Sequence, residues 1–99
     1  MTYNIYFGTI GKTLGVRYRY TKSFRTAEDA LEHAKKEASN FYYKNEGKYG
    51  IPSYGTISKE SEITGMDIED LYKEHIEDMT RYFAIPTEED TIPRKKLRY

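Results

Sequence analysis

The sequence predicts an α+β fold: a β-hairpin, with room for a third short strand, packed against two amphipathic helices in the order β-β-α-(β)-α. Three observations predict it. Two stretches near the start alternate apolar with polar residues, the period-2 signature of half-buried strands. Two later stretches repeat apolar residues at i, i+3, i+4 and i+7, the mark of helices with one buried face. The chain has 99 residues and no cysteine, enough for one small core without a disulfide framework.

The elements follow in order. Thr2–Thr9 sets Tyr3, Ile5 and Phe7 on one face and Asn4 and Tyr6 on the other. After a glycine-punctuated loop near Ile10–Thr13, Leu14, Val16, Tyr18 and Tyr20 alternate with Gly15, Arg17 and Arg19, predicting a hairpin with the apolar set inward and the arginines outward. Thr26 followed by Glu28 and Asp29 reads as a hydroxyl N-cap with acids in the first turn of a helix to about Tyr43. It would bury Ala27, Ala30, Leu31, Ala34, Ala38, Phe41 and Tyr42, and leave His33 on its polar side.

Asn45–Ile57 is rich in Gly, Pro, Ser and Tyr and reads as a loop, with Tyr54–Ile57 as the place for the third strand. Ser58–Thr64 suggests a short helical turn ended by Gly65, and Asp67 caps the sharpest amphipathic segment, Asp67–Ala84. There Ile68, Leu71, Tyr72, His75, Ile76, Met79, Tyr82 and Phe83 share one stripe. Beyond Ala84, Pro86 and Pro93 bracket a polar segment expected to lie over the surface. The expected division is one domain over residues 1–93 and a basic, mobile tail over 94–99.

Composition bounds the function. Hydrophobic residues make up only 37% of the chain, yet eleven tyrosines and four phenylalanines supply ring area, so tyrosine must do much of the burying. No apolar run approaches the length of a membrane span, and the start lacks the basic and apolar regions of a signal peptide, so the expected location is the cytoplasm. The formal charge of zero conceals blocks: residues 1–59 hold ten Lys/Arg against five Asp/Glu, residues 60–90 two against eleven, and residues 91–99 four against none. Segregation of this kind points to an interaction surface.

No constellation for chemistry is found. Gly8–Thr13 (GTIGKT) has too few residues between its glycines for a phosphate loop and precedes a strand rather than a helix. The two histidines, His33 and His75, lack metal-ligand spacing, and no serine has a strand–elbow–helix context. The expectation is therefore a binding protein rather than an enzyme, with no cofactor and no metal. Its leading surface is the acidic helix face of Glu69, Asp70, Glu74, Glu77 and Asp78, joined by loop tyrosines Tyr43, Tyr49 and Tyr54. The alternative is nucleic-acid binding through Arg17, Arg19, Arg94, Lys95 and Lys96, although alternation would separate the strand arginines from the tyrosines that stack bases. A third reading is a small-molecule-binding or sequestering protein with a tyrosine-lined pocket.

The run FYYKNEGKYGIPSYGTIS followed by DIEDLYKEHIEDMTRYFAIPTEED resembles the C-terminal part of small uncharacterised proteins encoded by tailed phages. The likeness lies in an aromatic loop, an acidic helix ending in an aromatic pair, and a Pro-Thr-Glu-Glu-Asp segment; the basic ending RKKLRY departs from it. The resemblance implies a small accessory protein in the host cytoplasm, a modulator or inhibitor that binds a host or defence protein with a basic surface. No site residue carries over from it. An exposed hairpin edge also allows a homo-oligomer.

Overall fold

The computed structural model describes residues 1–10 and 15–91. Three antiparallel strands and three helices follow one another as β1 (Thr2–Thr9), β2 (Gly15–Ser23), α1 (Ala27–Lys44), α2 (Tyr54–Thr64), α3 (Ile68–Met79) and β3 (Thr80–Pro86). The α+β class and the opening hairpin are as the sequence predicts. In the sheet, β1 is central and the order is β2-β1-β3. The hairpin loop, Leu14 and the 94–99 tail lie outside the described residues.

Two elements differ from expectation. Tyr54–Ile57 is not a strand: Ser53 caps a helix there, its hydroxyl accepting from the Thr56 amide, and α2 continues to Gly65, whose left-handed φ of 77° closes it. The third strand comes instead from the end of the segment read as one long helix. At Thr80 the hydroxyl donates to the Ile76 carbonyl at 2.6 Å and the backbone turns extended, so Thr80–Pro86 pairs with β1 from Thr9 to Tyr3. The aromatic and β-branched content of TRYFAI suits a strand as well as a helix stripe, which is why helical periodicity ran on past Met79.

The described core has two parts. Beneath the sheet, Tyr3, Ile5 and Phe7 pack on Ala30, Ala34 and Ala38, a row of small side chains that lets α1 approach the strands closely. α1 starts as predicted, Thr26 Oγ1 accepting from the Asp29 amide at 3.1 Å. Its last turn sends Tyr42 into a second cluster with Ile51, Ile57, Leu71 and Tyr72, which joins α2 to α3. Only α1 covers the sheet broadly, so the hairpin rests on one helix rather than two. Ala27 and Leu31, expected inside, are exposed.

β2 holds the largest correction. Ile5 pairs with Tyr20 and Tyr6 pairs with Tyr18, leaving Arg19 as an extra residue, a bulge. One added residue reverses the side on which everything before it points. Tyr20 keeps its predicted inward place, but Tyr18 swings to the opposite face against Tyr6, with ring centroids 5.8 Å apart. Val16 falls opposite Gly8 and Arg17 opposite Phe7. Gly8 is needed where it stands, since a Cβ there would lie 2.1 Å from the Gly15 carbonyl oxygen. The polar segment after β3 does cross the sheet: Asp90 accepts from Asn4 Nδ2 at 2.8 Å and from the Tyr6 hydroxyl, and both strand residues are buried.

Candidate functional site

α3 is a helix with one buried stripe and one acidic face. Leu71 and Tyr72 are buried, and Ile68, His75, Ile76 and Met79 are half-buried beside them. Glu69, Asp70, Glu74, Glu77 and Asp78 are all exposed on the remaining arc, with Lys73 the cation among them. Asp67 caps the start, its carboxylate accepting from the Glu69 amide at 3.3 Å. Arg81 folds back over the other end, donating to the carbonyls of Glu77 at 2.8 Å, Asp78 at 3.3 Å and Thr80 at 2.7 Å. That cation therefore satisfies the terminal carbonyls and the helix dipole rather than neutralising a carboxylate.

His75 Nε2 lies 3.2 Å from Glu60 Oε2, a hydrogen bond that ties α2 to α3 and leaves the five α3 carboxylates out of it. His75 is thus a packed, hydrogen-bonded residue. His33 is not solvated as its place on the helix suggests: its Nε2 lies 2.6 Å from the Tyr20 hydroxyl and its ring 5.1 Å from that of Phe24.

The loop tyrosines adjoin the acidic face unequally. Tyr72 stacks on exposed Tyr54 at 6.5 Å and meets exposed Tyr43 at 5.3 Å, so two half-exposed rings flank one buried ring. Tyr43 also borders a shallow hollow of about 270 Å³ with Lys35, Glu69, Lys73, Ile76 and Glu77, so its ring adjoins two of the five carboxylates and two lysines. Tyr49 stands on the loop at a left-handed φ of 54°, strained for a side chain of its size, and is half-exposed. The loop is closed by Gly47 donating to the Ile51 carbonyl at 2.9 Å, while Ile51 plugs the second core.

Tyr42 and Tyr72 carry hydroxyls with raised pKa values. Burial pushes Tyr42 up to about 12, with the Glu46 carboxylate adding to it, and its hydroxyl has no hydrogen-bond partner. Burial and then Glu46 push Tyr72 up as well. Both groups stay neutral phenols, which makes them packing elements rather than bases.

The basic residues are less available. Arg19 lies on the α1 side, its guanidinium 4.6 Å from the Phe7 ring centre and 4.9 Å from that of Phe41, with Nε donating to the Phe7 carbonyl at 2.9 Å. Burial, then the neighbouring Arg17, lowers its pKa. Arg94, Lys95 and Lys96 lie outside the described residues. Sequence reasoning singled out Tyr43 and Tyr54 and buried Tyr42 and Tyr72, but it missed that the four rings join one cluster over the second core, because the helix at 54–64 read as strand and turn.

Among the described residues, no three His, Asp or Glu side chains gather as metal ligands, and no helix is long and apolar enough to cross a membrane. No protein-family model, curated protein or solved structure matches the chain.

Proposed function

We infer that this chain is a protein-interaction module that meets a partner with a basic surface through the acidic face of α3 and the adjoining Tyr43 and Tyr54. The observation that carries the reading is the row of five exposed α3 carboxylates outside any ion pair among the described residues, two of which, Glu69 and Glu77, border the same hollow as half-exposed Tyr43 of α1. Carboxylates set out along a helix steer a cationic partner and fix its orientation, while the tyrosines add contact area at small entropic cost. The likeness to tailed-phage proteins supports a modulator of a host or defence protein, acting by binding rather than catalysis. Nucleic-acid binding finds less support, because Arg19 is engaged with two rings and a carbonyl.

The test is capture of partners from host lysate at low and high salt with a nuclease-treated control, comparing the native chain with the triple variant Asp70→Lys/Glu74→Lys/Glu77→Lys. The native chain is expected to retain a protein that high salt releases and nuclease does not. Capture that survives the triple change sinks the acidic-face reading, and capture that nuclease abolishes moves the site to the basic residues.

A further inference from the structure

The sheet has two outer strands, and they are finished differently. β2 carries the bulge at Arg19 together with Arg17 and Lys22, features that discourage pairing with another chain. β3 runs in unbroken register with β1 from Thr80 to Pro86, and its centre, Tyr82–Phe83–Ala84–Ile85, carries no charge. Arg81, the cation that could guard this edge, is turned onto the end of α3. Among the described residues no strand pairs with the outer side of β3. Phe83 is 47% exposed on the face away from α1, and Leu31, also 47% exposed, lies on α1 beside the same edge. On the α1 side of this edge a hollow of about 400 Å³ is lined by Glu28, Leu31, Glu32, Lys35 and Tyr82.

We propose that the β3 edge and this hollow form a homodimer interface, in which two copies pair their β3 strands antiparallel about a two-fold axis near Phe83 to give one six-stranded sheet. The occupant is a second copy because the surface complements itself. Pairing centred on Phe83 sets each Phe83 against its twin on one face, and each Tyr82 against the partner's Ala84 on the α1 face, large against small. The same axis runs the two α1 helices antiparallel. Glu28 and Lys35 lie equally far from the midpoint of Leu31 and Glu32, so each Glu28 meets the partner's Lys35. Because α1 lies over both β1 and β3, strands about 4.8 Å apart bring the helices to about 10 Å, their normal packing distance. The interface adjoins the acidic surface at Lys35, which also borders the hollow of Tyr43, Glu69 and Glu77, but it does not depend on the function proposed above.

Sedimentation of the full chain over a wide concentration range tests the proposal. The expected result is a monomer–dimer equilibrium. Phe83→Lys, at an exposed position, is expected to weaken it by more than tenfold with the circular dichroism unchanged. Glu28→Lys alone and Lys35→Glu alone are each expected to weaken it by about two- to tenfold, and the double exchange to restore it. The exposed α1 pair keeps the test decisive if Phe83→Lys disturbs folding. A monomer at every concentration, a dimer that a well-folded Phe83→Lys variant leaves intact, or a double exchange no better than the single changes overturns the proposal.

Discussion

Beneath the sheet the core is Ile5, Phe7 and the alanine row of α1, whereas the helical arm is held by Tyr42, Tyr72, Ile51, Ile57 and Leu71. The first uses small and apolar side chains, so α1 sits close to the strands and burial needs few polar partners. The second uses tyrosine, whose ring adds much area but whose hydroxyl must be accommodated. Tyr42 shows the cost, since its hydroxyl is buried and unpartnered, a penalty of about 1–3 kcal/mol. Tyr72 shows the return: it supports exposed Tyr43 and Tyr54 beside the acidic face. The arm trades stability for surface, and the sheet does the opposite.

The comparison breaks or holds first on two isoleucines of equal chemistry, both fully buried. Ile5→Ala is expected to cost about 3 kcal/mol in global unfolding by denaturant. Ile57→Ala is expected to open the arm alone, speeding amide exchange in α2 and α3 while β1 stays protected. If Ile57→Ala loosens β1 equally, the two cores are one cooperative unit.

A smaller effect sharpens the tyrosine argument. Tyr42→Phe is expected to stabilise the protein by about 1 kcal/mol, because it removes the orphaned hydroxyl and keeps the ring. The pH dependence follows from the same burial. The Tyr42 pKa is raised from 10 to about 12, so the unfolded chain releases this proton first. Its contribution is therefore complete below pH 10 and is lost as pH rises towards 12. Melting temperature measured across that window should fall less steeply in Tyr42→Phe than in the native chain, and an identical slope would assign the loss to other groups.

The smallest effects concern the caps. Thr26→Ala is expected to lower global stability by about 1 kcal/mol, since α1 serves both cores. Asp67→Ala, whose bond to the Glu69 amide is longer, is expected to cost about 0.5 kcal/mol and to act within the arm. Amide exchange in β1 separates the two outcomes.

What was legible in the sequence was local. Thr26, Gly65 and Asp67 announce helix boundaries through side-chain and backbone chemistry that acts within a few residues, and the structure places them there. The acidic face was legible because helical spacing alone determines it. Tyr54–Ile57 misled because Gly55, Thr56 and Ile57 are poor helix formers, and the burial of Ile57 among residues from α1 and α3 overrides that preference. The segment after Met79 misled because aromatic residues satisfy both periods. The bulge at Arg19 had no local signal: Val16, Tyr18 and Tyr20 alternate perfectly, and the arginine is held inward by residues distant in sequence, the rings of Phe7 and Phe41 and the Phe7 carbonyl.

α1 ends beside Phe7, where Phe41 packs, and β3 begins beside the same end of β1, where Thr80 pairs with Thr9 and Tyr82 with Phe7. The α2–α3 arm is therefore an excursion that leaves the β-β-α-β unit and returns to the end it left. An insertion or deletion in such an appendage leaves every strand in register, because its two ends are fixed beside one another. The arm and the sheet thus meet at one end of β1, and a change within residues 54–79 can alter the arm's surface while the strand pairing stays as it is.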